Sequence, residues 1–256
     1  VLASTLLGVR PPELPTRSLV GTASLLGISP GTARVAISRM VAAGELEATA
    51  TGYRLASPAL LARQQRQAES AGGETVAWNG AWRVALVGAD AEAGPRTASE
   101  RAQLRGALTA LRFAEWREGA WLRPDNLRAG VLPDAESVVA SGCLLLTATP
   151  DGTDALAARL WPLDAWADDA RDLLVDLDDL GVRIDAGDTA ALAEGFVASA
   201  ATLRHFQADP LLPADLLPAD WPGPDLRARH AAFDRSFKAT LAAWQREAAA
   251  GSADGS

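Results

Sequence analysis

Apolar residues recur at helical spacing through the first sixty positions. Leu19, Val20, Ala23 and Leu26 share one face of a helix that Thr16 can cap and Gly27 ends. Ser29 and Pro30 then open a second helix, predicted over 30–43 and closed by Gly44, with a serine N-cap and proline at the first helical position. A helix, a turn of about three residues and a second capped helix make a helix-turn-helix pattern. Two short alternating runs follow, Glu45 to Thr49 and Tyr53 to Ala56, joined by Ala50-Thr51-Gly52. They predict a hairpin with Leu46, Ala48, Tyr53 and Leu55 inward, a wing set directly behind the second helix. Val1 to Leu7, followed at once by Arg10 and two prolines, reads as a short core helix rather than a signal peptide.

The period changes after the polar run 63–68 and the break Ser70-Ala71-Gly72-Gly73. Trp78 to Val87 is a turn followed by a short apolar run, consistent with a buried strand. A helix is predicted over 97–111. Phe113 to Trp116 and Ala120 to Arg123 flank the hairpin signal Glu118-Gly119, Asp134 to Ala140 forms a short helix, and Cys143 to Ala148 a last strand. Strand, helix, strand, strand, helix, strand is the order of a ferredoxin-like domain. From Asp151 the spacing is helical, interrupted by the proline-rich span Pro210 to Pro224. The predicted class is α+β, with domains at 1–68 (winged helix-turn-helix), 76–150 (ferredoxin-like) and 151–248 (helical).

Charge sharpens this division. The chain carries a net −8, yet residues 1–68 hold seven arginines against three glutamates, a balance of +4 that leaves −12 for the rest. A basic head on an acidic body suits a head that faces phosphate. The single cysteine excludes an internal disulfide framework and a cysteine-based zinc site, and two distant histidines give a metal centre little support. No cofactor is expected. No apolar run is long enough to span a bilayer, so the expected location is the cytoplasm and no membrane partner is expected.

The second helix carries the chemistry. Ala33, Ala36, Ile37, Met40 and Val41 cluster on the face that packs inward. Gly31, Thr32, Arg34, Val35, Ser38 and Arg39 take the rest, a small, hydroxylic and basic surface with no acid. A duplex major groove asks for such a surface: small residues allow approach, hydroxyls and arginines bind phosphate, and arginine can grip guanine through two hydrogen bonds. Val35 can touch a thymine methyl. The tip of the wing, with Thr51 and Arg54, is placed to reach the flanking backbone or minor groove. Ser29, Thr32, Arg34, Val35, Ser38, Arg39, Thr51 and Arg54 are thus the candidate contacts to double-stranded DNA.

Three stretches in chain order resemble the PaaX family of bacterial transcriptional regulators: Gly27 to Gly44; Trp78 to Val84 with Leu111 to Phe113 and Gly119 to Pro124; and Phe206 to Gly223. The resemblance implies a winged helix, a ferredoxin-like middle domain similar to the small CRISPR-associated nucleases, and a helical C-terminal domain. It further implies a homodimer on a paired operator, repression of a catabolic operon such as that for phenylacetic acid, and release by an acyl-CoA such as phenylacetyl-CoA. It identifies no effector-binding residues. The first wing strand, with Glu45 and Glu47, is more acidic than the family pattern leads one to expect.

Other features have structural readings. Asp90, near the end of the first middle-domain strand, stands where the related nucleases place a metal-binding aspartate. With Glu92 the only carboxylate close by, a metal-dependent nuclease lacks a convincing catalytic set. The chain is therefore read as a non-enzyme; a winged-helix interaction scaffold is the remaining alternative. Trp78, Trp82, Trp116 and Trp121 are core anchors rather than a stacking platform for single strands. Arg204-His205-Phe206 could meet the phosphates and acyl group of a thioester, or simply close a helix. The acids from Asp164 to Asp179 interleave with leucines as the solvated face of an amphipathic helix.

Overall fold

In the computed structural model, residues 1–73, 75–88 and 96–253 are described, with 248–253 described by backbone alone. The elements are helices and two antiparallel sheets, an α+β chain. It divides into two compact units: Val1–Ala68 with Arg171–Arg204 and Asp225–Ser256, and Glu69–Ala170 with His205–Pro224.

The first unit begins with α1 (Leu2–Leu7), β1 (Glu13–Pro15), α2 (Thr16–Leu25), α3 (Pro30–Ala42), β2 (Leu46–Ala48), β3 (Gly52–Leu55) and α4 (Pro58–Gly72). Thr16 is not the cap of α2. Pro15 holds that position and no side chain caps it, because β1 runs straight into the helix. Gly27, at φ 77°, ends the helix in a left-handed turn that lets the Ile28 N–H reach the Ala23 carbonyl at 3.0 Å. The strands form a sheet in the order β1-β3-β2. Leu14 pairs with Tyr53 and Ala48 pairs with Tyr53 from the other side, so β3 is the central strand.

One core joins these pieces: Leu2, Leu6, Leu7, Leu19, Ala23, Ala33, Ile37, Leu46 and Leu55. Each buried leucine or isoleucine contributes about 1.5–3 kcal/mol relative to exposure. Buried Gln64 on α4 donates to the carbonyls of Leu6, Leu7 and Val9 and so ties α4 to the end of α1 and the turn after it. Two positions differ from the sequence pattern. Val41 is 37% exposed rather than packed, since it lies on the margin of the apolar stripe. Ala48 is exposed, because only Leu46 of its strand turns into the core.

In the second unit, β4 (Trp82–Val87), α5 (Ala98–Ala110), β5 (Ala114–Arg117), β6 (Ala120–Pro124), α6 (Pro133–Gly142) and β7 (Cys143–Ala148) follow in turn. Thr97 and Glu100 close a reciprocal capping box at the start of α5. The sheet order is β5-β6-β4-β7, antiparallel throughout. Ala85 and Trp121 face a core made with Leu104, Leu108, Leu111 and Val139 of α5, α6 and the turn after α5. Trp82 and Leu122 face the other way. They pack with Ala157 of α7 (Thr153–Leu160), Leu163, and Leu212 and Leu216 of the proline-rich segment. Asn126, itself buried, anchors that segment by donating to the Leu211 carbonyl at 2.8 Å, and Arg112 donates to the carbonyls of Phe206 and Gln207. Trp166 is stacked between His205, at 4.2 Å, and Trp221, at 4.4 Å. Aromatic residues thus concentrate in this unit.

Three long helices complete the described chain: α8 (Leu163–Asp185), α9 (Ala191–Ala208) and α10 (Gly223–Ala253). In the first unit Ile184, Leu192, Leu226 and Phe233 are buried. The acids Asp172, Asp176 and Asp179 lie on the exposed face of α8, while Asp178 pairs with Arg229. His230 meets the Ser199 hydroxyl at 3.0 Å, and burial pushes its imidazole below the ordinary histidine range.

Candidate nucleic-acid interface

The sequence assembles α3 from its first residue. Ser29 accepts the Thr32 N–H at 3.2 Å, meeting one of the donors that a helix start leaves free. Pro30 costs nothing there because its missing N–H would have no partner. Ala33 and Ile37 then press α3 onto the core, with Ala36 and Met40 half-buried beside them. This packing leaves Gly31, Thr32, Arg34, Val35, Ser38 and Arg39 all exposed.

The exposed groups are not equally available. The Ser29 and Thr32 hydroxyls bond each other at 2.9 Å, and Ser38 donates back to the Arg34 carbonyl at 3.1 Å. Thr32 keeps a lone pair and Ser38 an acceptor; Ser29 is largely occupied with capping. Among the described residues, neither the Arg34 nor the Arg39 guanidinium has a hydrogen bond or ion pair. Their charges stand roughly a turn and a half apart on a helix that contains no acid. Both point at solvent, where a phosphate or base edge can be met without breaking an internal contact. Val35, 53% exposed, lies between them as an apolar spot.

The β2–β3 hairpin differs from the sequence expectation in one respect. Thr51 is at the exposed tip, where the Gly52 N–H is held by Thr49 at 3.1 Å. Arg54 is not at the tip. It occupies the central strand, in register with Glu13 on one side and Glu47 on the other. Its Nε and Nη2 both donate to Glu47, at 3.1 and 2.9 Å. Two acids therefore border this arginine, and one holds it. Both partners are half-exposed, so the pair adds little stability.

Sequence reasoning missed β1, the third strand. It is three residues long, ends in proline, and pairs with residues some forty positions away, so no local pattern marks it. Trp82 and Trp121 are buried, and Trp78 is half-buried with its indole N–H on the Ala81 carbonyl. Trp116 is partly exposed beneath the Arg117 guanidinium, 4.9 Å from its ring centre. His205 and Phe206 are packed side chains, while Arg204 is exposed. Asp90 and Glu92 lie outside the described residues. Among the described residues, no group of three or more His, Cys, Asp and Glu is arranged to hold a metal ion. None of their helices is long and apolar enough to cross a membrane.

A search of curated proteins returned no match. Among solved structures, an uncharacterized protein, Rv0674 from Mycobacterium tuberculosis, is 39% identical with a TM-score of 0.72; the alignment covers 94% of this chain and 96% of that one. Two family models also match: residues 2–59 fit the PaaX-like protein model and residues 161–247 the PaaX-like protein C-terminal domain. The first contains the whole α3 surface described above, and together they take in more than half of the chain, which belongs to the PaaX-like family of transcription regulators.

Proposed function

We propose that this chain is a DNA-binding repressor of a catabolic operon, connected with phenylacetic acid degradation. In this reading α2, α3 and the β2–β3 hairpin are a winged helix-turn-helix, with α3 entering the major groove. Arg34 and Arg39 grip phosphate or guanine, Thr32 and Ser38 touch phosphate, and Val35 meets a thymine methyl. The second unit's strand order, with the last strand beside the first, supports a ferredoxin-like fold. The protein acts in the cytoplasm as a homodimer, without a cofactor and without catalysis. An acyl-CoA such as phenylacetyl-CoA releases it by binding the DNA-free arrangement more tightly than the bound one.

The observation that carries this reading is the acid-free, solvent-facing side of α3, with Arg34 and Arg39 unpaired among the described residues. The test is fluorescence anisotropy with duplex DNA from upstream of the protein's own gene, over a salt series. Binding should weaken as salt rises, because each phosphate contact releases a condensed counterion. Arg34→Ala should weaken it by about 5- to 150-fold, the range for one lost two-bond contact to a base. Glu47→Gln should act in the opposite direction. It frees Arg54 for phosphate, tightening binding and steepening the salt slope by about one per copy. Affinity indifferent to both salt and Arg34→Ala would instead support a winged-helix interaction scaffold.

A further inference from the structure

The inner strands of the second unit's sheet carry a row of donors that the regulator reading leaves unused. Register sets Arg123 of β6 opposite Arg83 of β4, and Arg83 opposite Thr147 of β7. Directly paired residues of an antiparallel sheet project from one face, their Cβ atoms about 4.5–5.5 Å apart. Here it is the face that Ala85, Trp121 and Leu145 present to α5 and α6. Two arginine side chains and a threonine thus leave neighbouring positions on one face of three adjacent strands.

No ion pair holds either arginine among the described residues. Arg123 lies over the Phe113 ring, 5.2 Å from its centre, and gives one N–H to the Pro124 carbonyl at 2.9 Å. Its Nε is buried without an acceptor. Among the described residues, neither Arg83 nor Arg123 has a carboxylate within ion-pair distance. Asp125 and Glu136 act on Arg123 from beyond that range, and Glu136 takes the Gly130 N–H with both carboxylate oxygens. Burial, with Arg83 adding to it, pulls the Arg123 guanidinium down to about 10. Like charges directly opposite on a sheet are destabilising, and a buried charge without a partner costs more. A fold has no use for this arrangement unless something else occupies it.

We propose that Arg83, Arg123 and Thr147 form a binding site for the phosphoryl group of a small metabolite. Two guanidinium forks ask for more acceptors than the two oxygens of one carboxylate, and a terminal phosphoryl group supplies three. The Thr147 hydroxyl gives a further donor, and its exposure leaves the row open to solvent. The site stands whether or not α3 binds DNA.

Thermal unfolding of the full chain tests it, with inorganic phosphate, coenzyme A or phenylacetate added at ionic strength matched with chloride. Phosphate or coenzyme A should raise the midpoint by about 2–4 °C once several-fold above its dissociation constant. A rise with coenzyme A at far lower concentration than with phosphate identifies a phosphorylated metabolite as the source; equal responses identify free phosphate. Arg83→Gln and Arg123→Met should each abolish the rise. Without anion they should match or exceed the natural chain in stability, since each removes an uncompensated charge. Arg83→Gln carries the test alone if Arg123→Met fails to fold. The proposal is overturned by a rise that survives Arg83→Gln, by a rise with phenylacetate alone, or by no rise with either phosphorylated probe. A marked loss of midpoint in anion-free Arg83→Gln would also overturn it, by making Arg83 structural.

Discussion

Alanine at position 52 is expected to detach β1 from β3 and to cost the first unit about 3 kcal/mol or more, the upper end of overpacking penalties. Gly52 faces Pro15 across the sheet, and a Cβ there would fall on the Leu14 carbonyl oxygen and within 2.6 Å of the Pro15 Cα. Both are backbone, so no rotamer change relieves the clash and the strand itself must move. Because β1 leads directly into α2, which packs with α3 in one core, the damage should spread to α3. Urea unfolding should show a lower midpoint, and operator binding should fall with it. Gly106→Ala on α5 is the control. Its Cβ would meet nothing within 4 Å, and alanine in a helix interior gains roughly 0.5–1 kcal/mol. Equal midpoints for Gly52→Ala and the natural chain would refute the strand's role.

The second large effect is at Trp82. Its side chain is fully buried between β4 and the elements that carry Leu163, Leu212 and Leu216. Trp82→Ala should destabilise the second unit by about 3–5 kcal/mol, the range for emptying a large aromatic site. The indole N–H has no acceptor, so phenylalanine would lose area but no hydrogen bond. Trp82→Phe should therefore retain much of the stability, and equal losses for the two variants would place a hidden partner at the indole nitrogen.

Local chemistry made most of the first unit readable in advance. Ser29 and Pro30 mark the start of α3, and the spacing of Ala33 and Ile37 marks its buried face. The set from Gly31 to Arg39 is exposed as its spacing requires. What could not be read depends on partners far away in the chain. Arg54 has the right type for phosphate, but only the register of β2 against β3 reveals Glu47 beside it. β1 exists because residue 13 meets residue 54, and Gln64 is buried because it serves carbonyls nearly sixty positions earlier. Arg83 and Arg123 show the same limit. Each sits in an unremarkable short strand, and the pair arises only when β6 is laid beside β4.

The unequal spread of aromatic residues has a spectroscopic consequence. Seven of the eight tryptophans, all but Trp244, fall in the second unit, while the single tyrosine, Tyr53, is in β3 of the first. Indole emission will therefore follow the second unit and scarcely register the β2–β3 hairpin. Trp244, whose ring a Cβ on Gly21 of α2 would meet at 3.6 Å, reports that helix, whereas the phenol of Tyr53 is a private chromophore for the strand that carries Arg54.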